Sequence, residues 1–559
     1  MASAGSDLAQ RRGFSPARAD ASGIDNRLLI AGIFVLALIP LFATPVLPFI
    51  DFYNHIARYY VLANIDHDVL LQQNYRANWS ILPNIGLDVI VTALTRLLPE
   101  AAVPRTTVIL IFAVQYAGLL YFNRALTGRA SVITALLAVP LLYSFILNWG
   151  FANFLLGIGL AFGAAGWWVS QRDRLVVAVP VACVLAAVIF FVHGLAFALY
   201  GVLAGMLEIG RWWQSPQRRL PPLITGLVAL AVQAVVPAML FLMAKTSQNS
   251  QGLTNADEAL TRLANNGRLA ARLWALLEYR LTTIVRVAEG PSLAFDIAAL
   301  VAMTVLLALL ILRKRLRIAP VAVPAVLVFA LLVIVVPPAL FGVGYVADRM
   351  PLVLAMLLVG ALDLKRQFDR FETLVFTAMA GLVALRLAGI ALAWSAYAQD
   401  KRDFDSVAAA LPAGALIENI VVGGDRLDYS RRRCTMFGPL LITDHSGVGR
   451  LFANEDQQPL VITGPLQRAI ASFDRPSRGH DKSMGFFDKV VAATAQGDFP
   501  WGLVCDADRL TKALPPSAKV VARNGRFSLI RFEQKRRGPD DGSQGRTSAR
   551  TDGQNALVL

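Results

Sequence analysis

The chain has 559 residues, 56% of them apolar and 16% charged, with a formal net charge of +15 and a mean hydropathy of +0.54. An ordinary soluble domain is roughly 45–50% apolar and about 25% charged, so a disordered chain, a collagen, a disulfide mini-protein and most soluble enzymes are excluded. The positive charge calls for no nucleic acid, because cytoplasmic loops of a polytopic membrane protein collect Lys and Arg.

Residues 1–27 are polar, with Arg11, Arg12, Arg18 and Arg27, and read as a disordered cytoplasmic tail. Leu28 to Pro48 is the first long apolar run, with no cleavage site after it. It reads as a retained span with the N-terminus inside. Further apolar runs lie near 106–122, 131–148, 151–169, 175–192, 194–210, 222–243, 292–312, 318–342, 350–364 and 371–397. Five connections are basic: Arg124 to Arg129, Arg172 to Arg174, Arg211 to Arg219, Arg313 to Arg317 and Lys365 to Arg370. The positive-inside rule puts these in the cytoplasm and the alternate connections outside.

Residues 81–98 are apolar enough to span, but a span there would move every later basic turn outside. They also carry Asn84, Asp88 and Arg96 between Pro83 and Pro99. The economical reading is an amphipathic helix at the outer interface. The first external loop is then 49–105, and the transmembrane domain is 28–397 with a second external amphipathic loop at 245–291. Residues 398–532 mix short strand-like runs with the turn signal Asn524-Gly525, which predicts a small external α/β domain. Residues 533–559 read as a disordered tail. The expected fold is therefore an α-helical polytopic membrane protein of about eleven spans, with interfacial helices in the first loop and a C-terminal α/β domain. Cys183 reads as a core residue. Cys434 and Cys505 could pair if their domain lies outside, but nothing in the sequence sets their distance.

Chemistry concentrates after the first span. If Asp51 to Leu62 is helical, Asp51, His55 and Arg58 fall at i, i+4 and i+7 on one face. An acid, an imidazole and a guanidinium in one stripe offer a base, a proton relay and an anion clamp. The plain alternative is an interfacial helix with a solvated polar face.

This stretch resembles the polytopic glycosyltransferases of the GT-C fold, which use sugars carried on polyprenyl phosphate. In the lipid A aminoarabinose and protein mannosyl transferases, the segment after the first span resembles Asp-Glu, a few residues, then Ile-Ala-Arg. Here it reads Asp51-Phe-Tyr-Asn-His-Ile56-Ala57-Arg58, with Phe52 in place of the second acid. A second interfacial helix is similar to Leu82-Pro83-Asn84 to Leu98, and the basic turn that follows the next span is similar to Asn123 to Arg129. The resemblance covers about residues 28–130 and the general layout beyond. It implies a bacterial inner-membrane enzyme with its C-terminal domain in the periplasm. Such an enzyme moves a sugar from a polyprenyl-phosphate carrier to an envelope glycan, lipid or protein by direct inverting displacement. Asp51 would be the catalytic carboxylate, and Arg58 a phosphate contact.

Other candidates gather on the outer side. His193 ends a span at an external turn, and Asn153 flanks another beside Trp149. Tyr345, Asp348 and Arg349 form an external turn before a span, where Arg349 would meet a lipid phosphate. These five complete the expected substrate-binding set, with His55 beside Asp51 in the catalytic one. Asp66, His67 and Asp68 have metal-ligand types, although such a run is usually just hydrophilic; no cofactor is implied beyond a divalent metal there. Asp444-His445-Ser446 has hydrolase residue types but the wrong, contiguous arrangement. The rival readings are a transporter or flippase of a lipid-linked or anionic substrate, and a scaffold whose external domain binds the envelope. Inverted repeats and mid-span charges are not evident, which favours chemistry at the outer surface.

Overall fold

A computed structural model describes residues 22–244, 269–340, 344–364, 369–421, 434–453, 457–473, 499–506, 514 and 518–533. Most of both expected tails and residues 245–268 of the second external loop lie outside the described residues. Helix α1 (Ser22–Ala37) starts before the apolar run, so residues 22–27 are helix and not tail. Extending a formed helix costs far less than nucleating one, so it runs back past its apolar core. A 3-10 turn at Ile39–Phe42 follows.

The first loop contains α2 (Phe52–Asn64), α3 (Val69–Asn74), β1 (Tyr75–Ala77) and α4 (Gly86–Leu97). A helix rises about 1.5 Å per residue, so the 12 residues of α4 extend about 18 Å. The helical bundle continues with α5 (Val103–Thr127), α6 (Val132–Leu142), α7 (Phe145–Trp149), α8 (Ala152–Gln171), α9 (Leu175–Val192), α10 (Gly194–Gln214) and α11 (Leu220–Met243). Next come α12 (Leu269–Val285), α13 (Leu293–Leu312), β2 (Leu316–Ile318), α14 (Val323–Val335), α15 (Val346–Gly360), β3 (Leu362–Leu364) and α16 (Arg370–Ser395). Among the described residues, eight helical stretches are long and apolar enough to cross a membrane. All eleven apolar runs fall mainly on helix, as hydrocarbon demands of a backbone that must bond to itself.

One run is broken. Between α6 and α7 the chain turns at Tyr143, leaving carbonyls without helical partners inside the bundle. Arg386 of α16 fills the gap: its guanidinium donates to the carbonyls of Tyr143 (3.2 Å), Pro140 (3.4 Å) and Ala288, and pairs with Asp296 of α13 (3.1 Å). The spans are thus less charge-free than the sequence suggested, and this buried pair serves backbone satisfaction.

The two ends of the bundle differ in kind. At one end Asn123 donates to the Gly360 and Leu362 carbonyls, Arg172 pairs with Glu208 (2.8 Å), Arg211 with Asp173, Arg315 with Glu372 (2.6 Å) and Arg317 with Asp363 (2.7 Å). β2 and β3 form a two-stranded ladder there. The basic connections therefore share one end, and the first loop sits at the other.

The C-terminal part comprises α17 (Tyr397–Ala408), β4 (Ile417–Val421), α18 (Phe437–His445), β5 (Leu460–Ile462), α19 (Gly464–Phe473), β6 (Trp501–Cys505), β7 (Ala518–Asn524) and β8 (Phe527–Phe532). Four strands form one sheet in the order β4-β6-β8-β7, with β4–β6 parallel and the other pairs antiparallel. Asn524 faces Phe527 across the hairpin, and Gly525 takes φ +50°. Cys434 and Cys505 are joined as a disulfide. β5 pairs antiparallel with β1 of the first loop, and Tyr75 Oη donates to the Gly449 carbonyl (2.6 Å).

Candidate functional site

α2 starts where Pro48 and the extended stretch before it release the chain. The turn at Asp51 is fixed by backbone bonds: Ile50 N–H donates to Asn148 O (2.9 Å), and Asp51 N–H to Trp149 O (3.0 Å). Tyr53 Oη accepts from Leu47 N–H (2.9 Å) and holds the approach. The close approach requires Gly150, which has φ +84°; a Cβ there would stand 2.5 Å from Phe52 N. Asp51 is thereby set against the Trp149–Phe151 turn, half-buried at the loop end.

The same turn reaches Arg349. The Trp149 ring lies 4.4 Å from that of Tyr345, and Phe151 lies 5.7 Å from Tyr345. Tyr345 takes φ +57°, a left-handed conformation that costs a side-chain-bearing residue on the order of 1–3 kcal/mol. It opens α15 so that Arg349 points inward. Arg349 is 4% exposed, and its guanidinium lies between the rings of Phe151 (4.6 Å) and Phe154 (5.1 Å). Its Nε and Nη1 are buried with no hydrogen-bond partner. Asp348 beside it accepts from Tyr279 Oη of α12 (2.8 Å). His193 packs edge-on to Phe154 (5.3 Å), and its buried Nδ1 also has no partner. Burial and then the Arg349 charge hold His193 well below its ordinary pKa, so its imidazole is neutral at pH 7.

His55 is likewise neutral, its pKa lowered by burial and then by Arg58. Its ring meets Phe452 of the C-terminal part edge-on (5.5 Å), and its Nδ1 has no partner. Unpartnered buried donors and acceptors are rare in folded proteins, so His55, His193 and Arg349 are candidates for contact with a polar ligand. The chemistry on offer is a carboxylate, two neutral imidazoles and a guanidinium with two donors still to give.

Two residues of the expected set are already engaged within the protein. Arg58 is 1% exposed and locked to Asp88 of α4, Nε to Oδ1 at 2.6 Å and Nη2 to Oδ2 at 3.2 Å, with Nη1 on the Phe452 carbonyl (3.4 Å). Seven residues carry it about 10 Å along the helix axis from Asp51, beneath α4, where a buried acid takes its charge. Asn153 uses both amide atoms on the first loop: Oδ1 accepts from Leu87 N–H (3.2 Å) and Nδ2 donates to Asn84 O (2.9 Å). Both hold the scaffold. The sequence had also passed over Phe151 and Phe154, the rings that flank Arg349, and Tyr279. The spacing of Phe151 and Phe154 near Asn153 was visible, but nothing local named their partner.

Asp66, His67 and Asp68 do not converge. Asp68 caps α3 by accepting from Leu70 and Leu71 N–H, and Asp66 faces Arg96. Among the described residues, one cluster of three ligand-type groups lies close enough for a metal, Cys434, Cys505 and Asp506, and its sulfurs are bonded to each other. Asp444 pairs with Lys401 (3.1 Å), and His445 Nε2 lies 3.2 Å from Asp405 Oδ1, so these side chains are held within a partly buried polar network.

Replacing Asp88 by Ala strands the buried Arg58 charge and should destabilise the protein by about 3–5 kcal/mol. The paired change Arg58→Met with Asp88→Leu should recover most of that loss and keep activity, measured by thermal unfolding and by transfer. Loss of activity in a stable double variant would return Arg58 to the ligand set.

No protein-family model and no curated protein matches the chain. Among solved structures, the chain is similar to ArnT from Cupriavidus metallidurans in the apo state, at 12% identity and TM-score 0.42, covering 90% of this chain and 97% of that one. It is also similar to the same protein bound to undecaprenyl phosphate, at 15% identity and TM-score 0.36, covering 91% of this chain and 98% of that one.

Proposed function

We propose that this chain is an integral-membrane glycosyltransferase that moves a sugar from a polyprenyl-phosphate carrier to an envelope acceptor on the periplasmic side. The single observation that carries the proposal is Arg349: a buried guanidinium between two aromatic rings, with two N–H donors unsatisfied. A buried guanidinium with two unbonded nitrogens is costly unless an acceptor joins it, and a phosphate matches its fork. Asp51 takes the acceptor's proton as the acceptor oxygen or nitrogen bonds to the anomeric carbon. The bond from that carbon to the phosphate oxygen breaks, and Arg349 stabilises the charge left on the lipid phosphate. His193 and His55 supply neutral hydrogen-bonding groups.

α12 suits a lipid-tailed donor. It turns Trp274, Leu277, Leu281 and Ile284 outward, while Arg280 and Thr283 are buried and Tyr279 reaches Asp348. That is an interfacial helix with its polar face on the site.

A transporter reading draws on the broken α6–α7 run and the buried Asp296–Arg386 pair, both common in transporters. Proteoliposomes loaded with polyprenyl-phosphate sugar radiolabelled in the sugar separate the two. Transfer predicts that label moves from the carrier to an added envelope extract. Label that only changes leaflet, still on its carrier, would sink the transferase. Cysteine-accessibility labelling should find residues 60–80 outside and 313–317 inside.

A further inference from the structure

A pocket of about 560 Å³ opens between α2, α4 and β1, away from Arg349. Leu62 and Val89 form apolar wall, and Trp79, Asp66 and Arg96 complete the lining. Thr92 lines the same pocket, and its buried hydroxyl has no hydrogen-bond partner. The Asp66 and Arg96 charges are 3.9 Å apart and 71% and 57% exposed. A pair that long and that wet holds α4 in place only weakly.

The outer face of α4 explains what reaches this pocket. Val89, Ile90 and Leu97 are all exposed and share one side of the helix. An amphipathic helix with its apolar side outward lies along the boundary of headgroups and acyl chains. The exposed indole of Trp79 belongs at that depth too. The mouth of the pocket then opens where phospholipid glycerol and headgroup sit.

We infer that this pocket binds one membrane phospholipid with a primary-amine headgroup, its phosphate on Arg96, its ammonium on Asp66 and an acyl chain between Leu62 and Val89. An ester carbonyl of that lipid accepts from the Thr92 hydroxyl. The opposite charges on the rim match a zwitterion, and the wall between them matches hydrocarbon. A quaternary amine has no N–H to give Asp66, and a glycerol headgroup has no cation. The site is therefore selective for phosphatidylethanolamine over phosphatidylcholine and phosphatidylglycerol. It goes beyond the transfer reaction and rests on the membrane placement of α4 alone.

The full chain in nanodiscs of equal phosphatidylethanolamine, phosphatidylcholine and phosphatidylglycerol, released for native mass spectrometry, tests it. Wild-type protein should retain one phosphatidylethanolamine several-fold above the other two. Asp66→Asn should erase the preference over phosphatidylcholine, and Arg96→Gln should lower retention of all three. Val89→Trp should fill the pocket and remove the retained lipid. Asp66, Arg96 and Val89 are exposed, so these variants keep the fold. Equal retention of the three lipids by wild type, or an unchanged preference in Asp66→Asn, would overturn the site.

Discussion

Asp51→Asn should lower sugar transfer by about 10²–10⁴-fold, the usual range for a positioned general base. The substitution is nearly isosteric. It leaves the backbone bond from residue 51 N–H to Trp149 O and the packing of Gly150 against Phe52 in place. What it removes is the ability to accept a proton. The measurement is transfer of radiolabelled sugar under saturating donor, beside a thermal melt of the same preparation. An unchanged melt with lost transfer assigns the proton to Asp51. Undiminished transfer would remove Asp51 from the mechanism and leave the site a binding pocket.

Arg349→Met should lower transfer by about 10²–10³-fold, as loss of one donor to a developing anion does, and it should raise the melting temperature. The second half is the discriminating part. Buried donors left without acceptors weaken the fold that contains them, so an apolar side chain of similar length beside Phe151 and Phe154 suits the empty protein better. A residue kept against stability is kept for its ligand. Arg349→Lys should recover little, because a point charge lacks the fork. A less stable Met variant with full transfer would make Arg349 structural.

The helices were legible because the bilayer leaves one solution: about 20 apolar residues, with basic turns on one side. A helix at 86–97 was legible in the sequence, but the burial of its Asp88 was not: Asp88 pairs with Arg58, thirty residues earlier. The stripe of Asp51, His55 and Arg58 obeyed helix geometry, yet periodicity shows only which residues share a face. It cannot say that a second helix covers one end of that face and pairs with Arg58. The same limit hid Phe452, which meets His55 and Arg58 from almost four hundred residues away. Arg386 and Asp296 stood in plain view within apolar runs, but their use depends on a break in α6–α7 that Pro140 alone does not announce.

The ladder between β1 and β5 has a consequence for biogenesis. Arg76 in the first loop pairs with Val461, and Gly449 receives Tyr75, so the loop that carries His55 is clamped by chain made after the transmembrane helices. The transmembrane helices are made before that strand exists. Contacts of such long sequence separation form late and slowly. A nascent chain stalled before residue 449 would hold its bundle in the bilayer with the first loop unclamped until β5 is made.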